Sequence, residues 1–88
     1  MKIKEICYTS HFERAFRKLS ETIQKRALEQ ESIFRENCFA PQLKTHKLKG
    51  VLEEFWSFSV DYSHRITFAF EKGGTVTFTD IGNHSVYQ

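Results

Sequence analysis

Apolar and polar positions change their period twice along this 88-residue chain, from alternation to a helical repeat and later back to alternation. From Ile3 to Tyr8 β-branched and aromatic residues alternate weakly with polar ones, which predicts a strand ending at Thr9 and Ser10, both good helix N-caps. Phe12, Ala15, Phe16 and Leu19 recur at i, i+3, i+4 and i+7, one face of a helix about two and a half turns long. Ser20 offers a second cap, and Ile23, Ala27 and Phe34 with Leu28 outline a longer amphipathic helix ending near Asn37. Two adjacent helices of this kind predict a hairpin lying on one face of a sheet.

Periodicity fades between Cys38 and Gly50, where Pro41 marks an irregular connection, and this stretch reads as a loop. Alternation then resumes, with Trp56, Phe58 and Val60 set against Ser57, Ser59 and Asp61. After a short turn at Tyr62 and Ser63, Ile66, Phe68 and Phe70 share one face of the next strand while Arg65, Thr67 and Ala69 share the other. Lys72, Gly73 and Gly74 predict a hairpin turn, because glycine supplies the positive φ that such turns need. Val76 and Phe78 carry a further strand, and Gly82 with Asn83 permits a sharp change of direction after it. The predicted fold class is α+β: one N-terminal strand, a helical hairpin, then an antiparallel strand meander, with both helices packed on one sheet face. One domain spans residues 1–88, and alternation leaves open where the first strand enters the sheet.

Composition sharpens this outline. The chain is 40% hydrophobic and 15% aromatic, and its nine phenylalanines predict a Phe-rich core that needs no disulfide. Cys7 and Cys38 have no paired spacing and are expected to be buried or partly buried free thiols. No apolar stretch approaches membrane-spanning length, and Met1-Lys2-Ile3-Lys4 is not followed by a signal-type hydrophobic segment, so a cytoplasmic protein without membrane association is expected. The net charge of +2 is mild. Its distribution says more: Lys44, His46, Lys47 and Lys49 lie together with no acid among them, while Glu29, Glu31 and Glu36 cluster on the second helix.

Candidate chemistry follows from histidine as the near-neutral proton carrier and from arginine and lysine as cations for phosphoryl charge. Arg65 sits opposite the apolar face of its strand, where it can meet a phosphate or pair with an acid such as Asp61 or Glu71. His64 has the parity of the core face and reads as a capped or partly buried histidine. His84, just past a strand end, is placed to donate a proton, and Tyr87 to stack on a base or cover the core edge. The histidines at 11, 46, 64 and 84 have no short ligand spacing, and Gly73-Gly74 lacks the residues of a phosphate loop, so neither metal nor cofactor is expected.

Together, His46-Lys47-Leu48-Lys49-Gly50, Trp56-Ser57 followed by His64-Arg65-Ile66, and the terminal His84 and Tyr87 resemble the RelE/ParE superfamily of bacterial toxins, and within it the RelE-like and YoeB-like mRNA interferases. The resemblance covers nearly the whole chain in order of elements. It implies a toxin of a type II toxin-antitoxin system that cuts messenger RNA on the ribosome without a metal and is held inactive by a cognate antitoxin in a hetero-oligomer. It assigns Arg65 to phosphate stabilisation, His84 to the general acid, and Lys44, Lys47 and Lys49 to RNA contacts. His46 stands where YoeB-like members have a glutamate base, and Ser85 and Val86 separate Tyr87 from His84 where close relatives have none, so the base stays unassigned, and which of His46 and His64 matters more stays open. Two alternatives remain: a ParE-like gyrase-binding toxin that cuts nothing, and an inactive member that only binds an antitoxin.

Overall fold

A computed structural model describes residues 1–50 and 54–83. Strand β1 (Glu5–Tyr8) leads into helices α1 (Ser10–Arg17) and α2 (Glu21–Glu36), followed by β2 (His46–Lys47), β3 (Trp56–Ser59), β4 (His64–Phe70) and β5 (Thr75–Asn83). Both helices begin where the sequence places them. The Thr9 hydroxyl accepts from the Phe12 amide at 3.0 Å and the Ser20 hydroxyl from the Ile23 amide at 3.3 Å, each satisfying a first-turn N–H that the helix cannot. Asn37 closes α2, its amide donating to the Ile33 carbonyl.

The five strands form one sheet in the order β1-β5-β4-β3-β2. The meander β2 to β5 is antiparallel, and β1 adds at the far edge, parallel to β5, with Ile6 opposite Val76 and Tyr8 opposite Phe78. The sheet is therefore mixed: the helical hairpin carries the chain from β1 at one edge to β2 at the other, and the meander brings it back to pair β5 with β1.

One sheet face is apolar. Trp56 and Phe58 of β3, Ile66, Phe68 and Phe70 of β4, and Val76, Phe78 and Ile81 of β5 share it, and the helices pack there. Phe34 of α2 is the keystone: fully buried, it stacks on Phe58 at 4.6 Å between ring centroids and meets Phe68 and Phe78 edge-on at 4.9 and 5.5 Å. Phe12 of α1 covers Phe78 at 5.5 Å. The Phe-rich core is thus built as expected.

Several expectations need correction. Between Cys38 and Gly50 the chain is not all loop, since a 3₁₀ turn at Pro41–Leu43 precedes β2, whose two residues pair with Trp56 and Ser57. A two-residue strand has no periodicity to read and exists only through its partner. Gly82 and Asn83 do not turn the chain, because β5 runs through both. A β-bulge explains why: Thr67 pairs with Asp80 and Phe68 with Phe78, leaving Thr79 as an extra residue, so Phe78 and Ile81 reach the same face three positions apart. Cys7 is exposed while Cys38 is buried, and β1 starts at Glu5 rather than Ile3. Leu28, grouped with the helix core by its spacing, is 57% exposed, and Gln30 takes a buried place on that stripe instead.

Candidate functional site

The face of the sheet opposite the helices carries the polar positions. His46, Ser57, Thr67 and Asp80 lie in one row across four strands, paired in sequence by register. Arg65 lies one row nearer the β3–β4 turn, flanked by Ser59 and Gly82. His46 and Arg65 thus share a face, two strands and two residues apart, roughly 12 Å between Cα atoms at ordinary sheet spacings. Lys47, opposite Trp56, has the other parity.

Two hydroxyls of the row are unusual. Ser57 is 1% and Thr67 6% exposed, and among the described residues neither side-chain oxygen has a hydrogen-bond partner. Buried hydroxyls are ordinarily paired, because leaving one unmade costs about 1–3 kcal/mol. In the sequence neither residue carries a chemical role, although Ser57 belongs to a motif behind the resemblance and both positions follow from strand parity.

His46 is exposed on β2, and its Nδ1 lies 2.9 Å from the Lys44 carbonyl. A carbonyl only accepts, so Nδ1 holds the proton and the neutral ring presents Nε2 as a lone pair, the tautomer that a base requires. Lys44 reaches this position through a left-handed turn, φ 53°, that ends the 3₁₀ turn.

His64 is placed differently. Its Nδ1 lies 3.0 Å from an Asp61 carboxylate oxygen and its side chain is 20% exposed. The same oxygen accepts from the Ser63 and His64 amides at 2.8 and 2.7 Å, so Asp61 and His64 together lock the β3–β4 turn. Burial raises the Asp61 pKa, but the hydrogen bond from His64, those from the two amides and the His64 charge outweigh it and leave the carboxyl below its ordinary value.

Arg65 does not pair with the Asp61 carboxylate. Its Nη1 donates to the Asp61 carbonyl at 3.2 Å, which turns the guanidinium toward the end of the sheet. There it joins Arg26 of α2, whose Nε donates to the neighbouring Val60 carbonyl at 3.1 Å, and Lys44, around a cavity of about 330 Å³. The structure therefore brings Arg65 together with Lys44 and, through the Lys44 carbonyl, with His46. His84 and Tyr87 lie outside the described residues, and Lys49 is exposed beyond β2.

No protein-family model matches the chain, and no curated protein does either. Solved structures do match. A YoeB/ParE toxin from Agrobacterium tumefaciens superposes with TM-score 0.77 at 15% identity, over 92% of this chain and 99% of that one. The fold is RelE/ParE-like. The RelE/ParE-like arrangement recurs in the toxin-antitoxin complex RelBE2 from Mycobacterium tuberculosis, with TM-score 0.72 at 17% identity over 97% of this chain and 95% of that one. It recurs again in the YoeB-YefM complex from Staphylococcus aureus, with TM-score 0.70 at 17% identity over 96% and 99%. At such identities the likeness is one of fold, and it agrees with the α+β architecture expected from the sequence. Among the described residues no helix is long and apolar enough to cross a membrane.

Proposed function

We propose that this RelE/ParE-like chain is the toxin of a type II toxin-antitoxin module and cuts messenger RNA on the ribosome without a metal ion. The observation that carries the reading is a guanidinium and an imidazole on one polar sheet face: Arg65 fixed by a backbone carbonyl, and His46 held in the tautomer with Nε2 open. In the proposed reaction the ribose 2′-hydroxyl loses its proton to His46 Nε2 and attacks the adjacent phosphorus. Arg65 stabilises the charge that develops on the phosphoryl oxygens, and the bond to the 5′ oxygen breaks as that oxygen is protonated, leaving a cyclic phosphate. The resemblance gives the protonation to His84 and a further contact to Tyr87. Lys44 and Lys49 position the RNA backbone, whereas Lys47, which the resemblance also gave to RNA, has the parity of the other face. His64, committed to Asp61, holds the turn that presents Arg65 and is a positioning residue.

The cognate partner is an antitoxin, as the RelBE2 and YoeB-YefM complexes suggest by analogy of fold. The test is cleavage of a reporter message by purified chain with ribosomes. Arg65→Ala is expected to slow cleavage about 100-fold or more, the usual cost of removing one charge-stabilising donor. Cleavage by Arg65→Ala at the wild-type rate would overturn the assignment, and loss of gyrase supercoiling with intact messages would replace the nuclease with a ParE-like poison.

A further inference from the structure

The helical hairpin leaves an apolar groove of about 190 Å³, lined by Phe12 and Phe16 of α1, Ala27 and Leu28 of α2, and Ile66 and Phe78 of the sheet. An apolar cavity of about 150 Å³ already takes a benzene ring, so a leucine side chain fits here. The chain's own Leu28 does not fill it, because at 57% exposure that side chain stands out from the groove it borders. An apolar knob thus lies beside an apolar hole on one surface. Such a surface complements itself across a two-fold axis, where the knob of each copy meets the hole of the other.

The charges of α2 point the same way. Glu21, Lys25, Leu28, Glu31 and Arg35 recur at helical spacing along one face, with Lys25 and Glu31 equally far from Leu28 and Glu21 and Arg35 likewise. Turned end for end about Leu28, this stripe sets Lys25 against Glu31 and Glu21 against Arg35, opposite signs in both pairs. A parallel pair in register would set like against like. No ion pair among the described residues uses Glu21 or Lys25, while Glu31 lies 3.7 Å from Arg35 and accepts from the Tyr8 hydroxyl at the groove.

We infer that α2 is the contact of a symmetric dimer of this chain, two copies crossing antiparallel with Leu28 of each seated in the groove of the other. Leu28 supplies the burial, and the exposed ion pairs, individually weak, fix the orientation. A contact built on one helix crossing stays below the about 1,200 Å² of a stable interface, so the dimer is weak and reversible. A helix of another protein would also enter the groove, but it gives no reason for α2 to reverse its charges about its own exposed leucine. The helices cover the sheet face away from His46 and Arg65, so the polar face of both copies stays open, and the inference stands apart from the nuclease reading.

The experiment is sedimentation equilibrium of the full chain, 10.4 kDa as a monomer, at concentrations up to about 0.5 mM, where a small interface associates. The wild-type mass is expected to rise toward the dimer with concentration. Leu28→Ala should weaken association about ten-fold or more, because each dimer loses two central leucines. Lys25→Glu and Glu31→Lys should each weaken it alone and should associate when mixed, since the mixture restores opposite charges at both contacts. Leu28 and Lys25 are exposed, so circular dichroism and melting at wild-type values confine their effects to the surface. Recovery on mixing shows in turn that Glu31→Lys is folded. A wild type that stays monomeric throughout overturns the inference. So does a dimer unchanged by Leu28→Ala, or a mixture as weak as its components, either of which moves the contact off the antiparallel helices. An antitoxin held through Leu28 by a chain that never self-associates also overturns it and gives the groove to that partner.

Discussion

Replacing Thr67 by valine should stabilise the protein. Thr67 is 6% exposed, its hydroxyl has no partner among the described residues, and valine has nearly the same shape with a methyl in its place. A buried hydroxyl with no hydrogen bond costs about 1–3 kcal/mol relative to its hydrated state in the unfolded chain, so removing it should return a share of that, about 1–2 kcal/mol. The backbone is undisturbed, because the bond from Thr79 Oγ1 goes to the Thr67 carbonyl and not to its side chain. In a domain of this size each kcal/mol moves the melting temperature by about 4–8 °C. Urea unfolding monitored by circular dichroism should show a higher midpoint with an unchanged slope, since the surface exposed on unfolding is the same. If the hydroxyls of the His46 row serve the proposed reaction, the same variant should cut more slowly while it melts later, a trade of stability for function. A fall in stability of more than about 0.5 kcal/mol would mean that the hydroxyl is satisfied in solution, and would refute the reasoning.

Other perturbations test the core and the turn. Phe34→Ala should cost about 3–5 kcal/mol, because it empties the site against which Phe58, Phe68 and Phe78 pack, and denaturant titration against a total of about 4–13 kcal/mol for a chain of this length will show it. A loss below about 1 kcal/mol would deny Phe34 its central place. Asp61 has a depressed pKa in the folded state, so its contribution to stability is present above the unfolded value of about 3.9 and is lost as pH falls below that toward the lower folded value. The urea midpoint of Asp61→Asn should accordingly be lower than wild type at pH 6, and the two should converge as pH approaches 2; parallel curves would contradict the linkage.

Much of the architecture was legible because it is local. Thr9, Ser20 and Asn37 mark helix ends by their own hydrogen-bonding groups, and the parity of Ile66, Phe68 and Phe70 assigns the core face of β4 and hence the polar face of Arg65. What was not legible depends on partners distant in sequence. The pairing of β2 and the edge position of β1 arise only from the assembled sheet. Gln30 could have been found, since 23, 27, 30 and 34 form one helical stripe, but its polarity argued against burial until Ser59 supplied an acceptor. Of the candidate site, the polar-face position of Arg65 and the partly buried place of His64 followed from parity. The cavity did not, because Arg26, Lys44 and Tyr62 meet only when α2, the 3₁₀ turn and the β3–β4 turn come together.

The bulge in β5 means that part of this protein is specified by a count of residues instead of by their chemistry. With Thr79 as a surplus residue, Ile81 falls on the core side and Asp80 takes its place in the His46 row. Paired in regular alternation without the bulge, the same residues would exchange faces, driving the Asp80 carboxylate into the phenylalanine core and Ile81 onto the polar face, whereas deleting residue 79 would make the strand regular and leave both where they are. Substitutions at position 79 that keep the bulge should therefore be tolerated, while one that lets β5 pair in regular alternation would turn the strand over beyond Phe78.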